Sequence, residues 1–449
     1  MPRDGIMHWI PMLHLAISLL ALPWLANRHR DPIRLAAWWL LTALCPPASL
    51  LIYLLVGQEP RALPCPQPDS DDSFSLDRLI RSGCGAPRRE HNRVELLHNG
   101  SNAYAALISA LQRARRSVSI SYYIICDDRI GRTVCDILIR RARAGVQVRI
   151  IYDAFGSRCL KAQFLKRLRQ SGIDIRPYAP VRFPWFTPSA MRRNHRKMVI
   201  VDSRLALLGG INLARYYLDG GEQGAWRDEH LAIEGEAALD LQRLFQADWR
   251  RAGGNDFTPD TPAMPPSGRS AVQIGWSGRG GSRKLLFDAF LSVILRAERE
   301  IRITSPYFMP PVELLQALRC AASGGVRIRV MIPTVSDSRL LDLVAESYID
   351  DLLAAGVELY RYEEGFLHAK FLIVDDRLAA VGTANMDYRS LELNEEVTAF
   401  LYDRQLIQRL THTFERDLKS CHSVSAANWH PQWWRRRTGE LLRLGAPLF

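Results

Sequence analysis

The stretch HRKMVIVD at residues 195–202 decides the fold, because it returns as HAKFLIVD at residues 368–375. Both copies fit the pattern His-x-Lys-x4-Asp, and their histidines are 368 − 195 = 173 residues apart. Ten residues after each aspartate comes an asparagine, Asn212 or Asn385, at the same offset. Since the chain has only six lysines, two copies in register indicate one duplicated site.

Each copy contains four apolar strand-forming residues between its lysine and its aspartate. Continuous apolar runs of this length are typical of central strands that are buried on both faces of a sheet. Side chains two residues apart on a strand point to the same face. The histidine and lysine of each motif are therefore predicted to reach one ligand at the entrance of the strand.

These residue types suit chemistry at a phosphate ester. Neutral imidazole is a nucleophile near pH 7 and can form a phosphohistidine, whereas protonated imidazole gives a proton to a leaving oxygen. Lysines would offset phosphoryl charge, asparagines would donate further hydrogen bonds, and aspartates would orient an imidazole or balance a lysine. We predict one phosphate pocket between two halves that meet face to face, with no metal and no cofactor. The predicted catalytic residues are His195, Lys197, Asp202, His368, Lys370 and Asp375, and Asn212 and Asn385 are predicted to bind substrate.

The sequence around the motif is also repeated. RRARAGVQVRIIYD (140–153) and RCAASGGVRIRVMIP (319–333) both have the pattern of a helix, a glycine turn and a strand. Alternating strands and helices predict an α/β fold: two duplicated α/β/α domains related by pseudo-two-fold symmetry and preceded by an N-terminal transmembrane helical hairpin. The predicted boundaries are 1–57 for two transmembrane helices, 58–90 for a linker, 91–251 for the first domain, 252–270 for a second linker, 271–420 for the second domain and 421–449 for a basic aromatic C-terminal tail.

The predicted hairpin rests on two runs, residues 6–26 and 35–57, that contain no Asp, Glu, Lys or Arg. A hydrocarbon core of about 30 Å needs about 20 helical residues, so each run is long enough to cross it. The alternatives are a signal peptide for the first run, or buried core helices for both. No small-residue cleavage site follows the first run, and a soluble helix needs only one apolar stripe.

Composition narrows the function less than the motif does. The 449 residues suggest two or three domains. The net charge is +12, and nearly all of the positively charged residues are arginines. A basic balance favours nucleic acid, an anionic membrane or a phosphorylated substrate without choosing among them. The eight cysteines form no Cys-x-x-Cys pair and no zinc-like spacing, which predicts mostly free thiols in a reducing compartment.

With its two His-x-Lys-x4-Asp motifs, the chain resembles the phospholipase D superfamily over residues 92–420. Within that superfamily it is similar to the bacterial cardiolipin synthases. The similarity lies in PPASLLIYLLVG at 46–57, WRD at 226–228 and the DYRS…NEE segment at 387–396. Glu395 departs from the pattern, since the family usually has an aromatic or apolar residue there.

This resemblance implies two phospholipase D-like domains that join two phosphatidylglycerols into cardiolipin and release glycerol. It implies that His195 is the nucleophile and His368 the acid and then the base, whereas the residues alone leave these roles interchangeable. It also adds Asp228 and Glu396 as candidate substrate-binding residues. The expected partners are phosphatidylglycerol and anionic membrane lipids, with no nucleic acid. The expected location is the bacterial inner membrane, as a multi-pass protein, and no oligomeric state is predicted.

Three alternatives use the same scaffold. A hydrolytic phospholipase D would use water as the acceptor and release phosphatidic acid. A superfamily nuclease would fit the basic charge, although the predicted hairpin argues against it. A non-catalytic membrane scaffold would not need both motifs intact, and both are intact.

Overall fold

The structure, a computed structural model, describes residues 16, 17, 19–21, 23, 25, 32–44, 49, 53, 75–180, 192–259, 266–278, 281–443 and 445. The chain divides into two compact units. The smaller comprises Met1–Leu63 with Val181–Arg192, and the larger comprises Pro64–Pro180 with Arg193–Phe449.

The smaller unit contains helix α1 (Pro32–Leu44). Its described core includes Leu25 and Tyr53, and the ring of Trp38 meets that of Tyr53 edge-on at 5.0 Å. Within the described part of the chain, no helix combines the length and apolar character needed to cross a bilayer. Most of the two runs predicted to span the membrane lies outside the described residues, so the hairpin stays a prediction.

The larger unit is built from nineteen described strands and twelve described α-helices. The strands are β1 (Arg89–His98), β2 (Ser117–Tyr122), β3 (Gln147–Asp153), β4 (Asp174–Tyr178), β5 (Met198–Val201), β6 (Leu205–Gly209), β7 (Trp226–Arg227), β8 (Glu229–Glu234), β9 (Ser270–Ser277), β10 (Glu300–Thr304), β11 (Phe308–Met309), β12 (Arg327–Pro333), β13 (Glu358–Tyr362), β14 (Phe366–Leu367), β15 (Phe371–Val374), β16 (Leu378–Gly382), β17 (Met386–Asp387), β18 (Glu396–Leu401) and β19 (Cys421–Val424). The helices are α2 (Leu76–Cys84), α3 (Asn99–Arg113), α4 (Arg129–Arg143), α5 (Ala162–Gln170), α6 (Tyr216–Asp219), α7 (Ala237–Arg251), α8 (Leu285–Leu295), α9 (Val312–Ser323), α10 (Arg339–Glu346), α11 (Ile349–Ala354), α12 (Arg404–Leu418) and α13 (Trp433–Arg443), with a π-helix at Arg389–Leu393.

Fifteen of the strands form one mixed sheet whose two wings have the same order. At its centre β1 and β9 are antiparallel neighbours. From β1 the strands run outward as β8-β6-β5-β2-β3-β4, and from β9 as β18-β16-β15-β10-β12-β13, with β19 at the end. The prediction of a duplicated α/β fold is therefore confirmed.

Both motif strands lie inside the sheet and are buried on both faces, as their apolar runs predict. Met198 and Ile200 of β5 belong to a core that α7 and α12 share with both halves. Val199 and Val201 belong to a separate core of the first half. β15 has the same alternation, so each motif is held by a strand that has no solvent-facing side.

The predicted first linker contains a helix that belongs to the core of the second half. Residues 58–74 lie outside the described residues, but α2 begins after Ser75, whose Oγ accepts from the amide of Arg78 at 3.2 Å. Leu76, Leu79 and Ile80 have helical spacing, and Ile80 is buried in the core of the second half. The amphipathic pattern is short and lies in a stretch whose composition is typical of a linker, so the helix was not predicted.

The predicted C-terminal tail is also structured where it is described. β19 pairs with β13 at the edge of the sheet, and α13 packs against α10. Gly439 makes this packing possible, because a Cβ there would lie 2.5 Å from the carbonyl oxygen of Leu343. The arginines of α13 are largely ion-paired, as in the contacts of Arg435 with Glu346 and of Arg443 with Asp351.

All six cysteines in the described part of the chain are free thiols, in line with the sequence-based expectation. The Sγ atoms of Cys126 and Cys159 are 3.2 Å apart.

Candidate active site

The two motif histidines lie at the entrances of β5 and β15, and each is fastened to the opposite half by its backbone. The amide of His195 donates to the carbonyl of Glu395 at 3.0 Å, and that of His368 donates to the carbonyl of Arg227 at 2.7 Å. Each motif lysine folds back onto its own histidine, and Lys197 Nζ donates to the His195 carbonyl at 2.7 Å. The site is thus assembled from both halves at once.

Each imidazole is oriented by a buried carboxylate that the other half supplies. His195 Nδ1 lies 2.8 Å from Glu396 Oε1, and His368 Nδ1 lies 2.6 Å from Asp228 Oδ2. An ionised carboxylate only accepts hydrogen bonds, so Nδ1 carries the proton and Nε2 keeps its lone pair. Thr383 Oγ1 holds Glu396 in turn by donating to Oε2 at 2.5 Å.

Electrostatics hold these carboxylates ionised. Burial alone would raise the pKa of Asp228, but Lys370 and His368 together bring it below its ordinary value. Burial acts against Glu396 in the same way, and His195 and Lys197 bring the pKa of that carboxyl below its ordinary value. Both acceptors are therefore charged at neutral pH.

The pKa values of the imidazoles and ammonium groups are also lowered, but in these groups burial is the cause of the shift. Burial lowers the pKa of His368 to about 3, assisted by Lys370 and opposed by Asp228. Burial also lowers the pKa of His195, against the pull of Glu396. The pKa of Lys370 falls to about 8 because of burial, and that of Lys197 falls well below its ordinary value for the same reason.

The two motifs also act on each other. Lys370 is among the groups that lower the pKa of His195, and Lys197 is among those that lower the pKa of His368, in both cases after burial. Both imidazoles are therefore neutral at pH 7. The crowding of two buried ammonium groups makes the pocket favourable for an anion such as a phosphodiester.

The surroundings of the two histidines differ. The His368 ring lies against Trp226, Phe366 and Tyr217, with centroid distances of 5.1, 5.4 and 5.7 Å. His195 meets the edge of Tyr123 at 5.0 Å. The surroundings of the two histidines are therefore not equivalent, although the motifs are.

The predicted substrate-binding asparagines lie beside the motifs but are engaged to different degrees. Asn212 Oδ1 accepts from the Ile124 amide at 3.1 Å, and its Nδ2 donates to Tyr217 at 2.8 Å. Asn385 interacts with Asp387, while its buried Oδ1 has no hydrogen-bond partner among the described atoms. Asn385 therefore retains an acceptor that could bond a hydroxyl group of a ligand, whereas both amide atoms of Asn212 are engaged.

The motif aspartates are a correction to the sequence analysis, because neither contacts an imidazole or a motif lysine. Asp202 accepts from the backbone amides of Arg115, Arg116 and Ser117, at distances of 2.7–3.2 Å. Asp375 accepts in the same way from the amides of residues 298–300. Each aspartate lies five positions after its motif lysine, about 16 Å along an extended strand, so these carboxylates anchor the far end of the strand.

Several supporting residues were not predicted. Thr383 follows the same glycine turn as Asn385, but nothing in its sequence context points to Glu396. Arg196 stands between the histidine and lysine of the first motif, and Arg227 lies in the WRD element, so both were visible without an evident role. The aromatic residues around His368 come from separate segments, and no sequence spacing connects them.

A family profile described as "Cardiolipin synthase, PLD-like domain" matches residues 107–249 and 290–418. Among curated proteins, cardiolipin synthase 1 of Bacillus anthracis is 34% identical over 458 residues, covering 94% of this chain and 90% of that protein. The cardiolipin synthase of Geobacillus kaustophilus is 33% identical over 450 residues, with the same coverage of both chains.

Solved structures share the fold at low identity. Phosphatidylserine synthase of Haemophilus influenzae has a TM-score of 0.64 and 14% identity, covering 83% of this chain and all of that chain. Polyphosphate kinase of Porphyromonas gingivalis has a TM-score of 0.52 and 14% identity, covering 86% of this chain and 56% of that chain.

Proposed function

The chain belongs to the family of cardiolipin synthases with phospholipase D-like domains, and from this premise we propose that it joins two phosphatidylglycerols into cardiolipin and releases glycerol. It is a phosphatidyltransferase. One observation carries the proposal for the site: each motif imidazole has its Nδ1 fixed by a buried carboxylate of the other half. Two oriented Nε2 atoms, one from each half, supply a nucleophile and an acid–base group.

In the first step, His195 Nε2 attacks the phosphorus of one phosphatidylglycerol. The bond from phosphorus to the glycerol oxygen breaks, and protonated His368 gives its Nε2 proton to that oxygen. The product is a phosphatidyl group on His195, whose positive charge is offset by Glu396. Burial holds the pKa of His368 at about 3, and the bound phosphodiester anion raises it, because an opposite charge favours the protonated form.

In the second step, His368 Nε2 takes the proton of a glycerol hydroxyl on a second phosphatidylglycerol. That oxygen attacks phosphorus, the P–N bond breaks and neutral His195 is restored. His368 ends this step protonated, and cardiolipin leaves. Lys197 and Lys370 offset charge on the non-bridging oxygens in both steps.

We further propose that each half is one phospholipase D-like domain, residues 91–251 and 271–420. The matching strand order of the two wings supports this division. We propose that residues 1–57 anchor the chain in the bacterial inner membrane as two helices, which the two uncharged runs support. Extraction of membranes with alkaline carbonate should leave the full chain in the pellet, whereas its complete release would refute the anchor.

The decisive assay gives the purified full chain phosphatidylglycerol as its only lipid, in mixed micelles without divalent cations. We expect cardiolipin and glycerol in equal amounts. Phosphatidic acid as the main product would instead mean hydrolysis. His195→Ala and His368→Ala provide the matched controls, and each should abolish both products.

A further inference from the structure

Two buried ion-pair clusters lie directly behind the histidines. In the first cluster, Arg196 Nη1 lies 2.5 Å from Asp248 of α7, and its Nη2 lies 3.3 Å from Glu395. In the second cluster, Arg227 Nε lies 2.7 Å from Asp417 of α12, and its Nη2 lies 2.9 Å from Glu229. The mechanism above uses neither arginine.

The clusters occupy equivalent places in the two halves. Asp248 and Asp417 each follow a buried phenylalanine by three residues, near the ends of α7 and α12. Arg196 corresponds to Ala369 by the motif offset of 173 residues. Arg227 and Glu395 each precede the carboxylate that orients a histidine. Each cluster therefore centres on an arginine, which comes from the motif itself behind His195 and from the facing segment behind His368.

The same residues carry the backbone bonds that hold the histidines. Glu395 accepts from the amide of His195, and its own amide donates to the carbonyl of Arg193 at 2.9 Å. Arg227 accepts from the amide of His368. These backbone bonds between the halves help to fix the distance between each imidazole and its carboxylate partner.

The first cluster is closely packed as well as charged. Arg196 is fully buried, its Nη2 donates to the Ser277 carbonyl at 2.7 Å, and its Nε donates to the Glu396 carbonyl at 3.3 Å. Gly278 has a φ of +109°, and a Cβ there would lie 2.4 Å from Glu395. A planar guanidinium that is hydrogen-bonded on several sides keeps its partners in one arrangement, whereas the ammonium group of a lysine would not.

We propose that Arg196 and Arg227 are positioning residues that set the two histidines for phosphatidyl transfer. Arg196 holds the segment of Glu395 and Glu396 against His195. Arg227 holds the segment that contains Asp228 against His368. An ion pair of this kind contributes more to a fixed arrangement than to stability, because burial of the charges offsets their attraction.

The test compares glutamine and lysine variants at both positions with a matched control at Arg329. Arg329 is also buried and ion-paired, to Glu300 and Glu415, but its partners do not contact either histidine. Arg196→Gln and Arg227→Gln should each lower kcat about 10- to 100-fold, the scale of a misplacement near 1 Å, with KM within about threefold. Arg329→Gln should lower the thermal unfolding midpoint while kcat stays within about twofold.

The lysine variants decide the matter if the glutamine variants fail to fold. Arg196→Lys and Arg227→Lys keep the charge and lose the planar guanidinium, so we expect kcat to fall at least about threefold in chains that melt within a few degrees of wild type. Full kcat in the folded lysine or glutamine variants would overturn the proposal, and so would an equal loss of kcat in Arg329→Gln.

This inference rests on the proposed function for its lipid assay, so a chromogenic phosphodiester is assayed in parallel. If wild type cleaves that diester but makes no cardiolipin, the proposed function fails and the comparison of arginine variants is decided on the diester. If wild type makes cardiolipin and the variants match it, the positioning proposal alone fails.

Discussion

At the scale of single residues, the carboxylates behind the histidines matter as much as the histidines themselves. We predict that Asp228→Asn and Glu396→Gln each lower kcat about 10²- to 10⁴-fold, because an amide no longer enforces the Nδ1–H tautomer. Cardiolipin formation per folded chain is the measurement. Asp240→Asn is the control, since Asp240 is equally buried and paired with Arg89 away from the site. Activity within threefold of wild type in both active-site variants would contradict the geometry.

Lys370 gives the site an alkaline limit. Its pKa of about 8 lies below that of an unfolded lysine, about 10.4, so kcat/KM should fall as pH rises through 8. Stability should change in the opposite direction and increase as pH rises. The cost of burying the ammonium is fully present below pH 8 and disappears above about 10.4. Lys370→Arg stays charged, so its residual kcat/KM should not fall as pH rises through 8. The same fall in wild type and in Lys370→Arg would mean that another group causes it.

The motif aspartates should behave as structural residues. Asp202 has a φ of +52° and caps three backbone amides, so Asp202→Ala should lower the free energy of unfolding by about 1–3 kcal/mol. Asp202→Asn should cost less, because asparagine tolerates the left-handed region and still accepts a hydrogen bond. Urea unfolding measures both variants. A loss of kcat in folded Asp202→Asn comparable to that of Asp228→Asn would restore the catalytic role that the structure removes.

At the scale of elements, the repeated apolar runs were enough to predict β5 and β15, because continuous strand formers leave little choice of environment. The two-residue strands β7 and β14 escaped prediction, since they form only by pairing across the halves. They nevertheless carry the segments that reach His368. Helix α2 was missed because its three apolar residues stand among polar neighbours.

Helix α13 offers a test of an element outside the site. Gly439→Val should displace it from α10, because the side chain would collide with the Leu343 carbonyl. Trypsin should then cleave faster at the arginines of α13 that are ion-paired in the native fold. Leu441→Ala, at a position that is 70% exposed, is the control and should leave the cleavage rate unchanged. Equal cleavage of Gly439→Val and wild type would mean that α13 does not depend on this contact.

At the scale of the whole molecule, the duplication explains both the sheet and the site. A repeated motif predicted that the two halves face each other, and the described structure joins them through β1 and β9 into one sheet. What the repeat could not predict is the asymmetry. His368 has more extensive aromatic surroundings than His195, and the arginine behind each histidine comes from a different part of the repeat. Both differences arise where the copies have diverged, and they become visible only in the contacts between the halves.

One measurement tests the central claim that two histidines serve a single phosphorus atom. The purified enzyme is mixed with phosphatidylglycerol, stopped within milliseconds by denaturing detergent at neutral pH, and analysed as peptides by mass spectrometry. We predict at most one phosphatidyl group per chain, carried by His195, and no adduct in His368→Ala, because that variant lacks the acid of the first step. Adducts on both histidines of one chain, or cardiolipin formed at full rate with no adduct on either, would contradict the account.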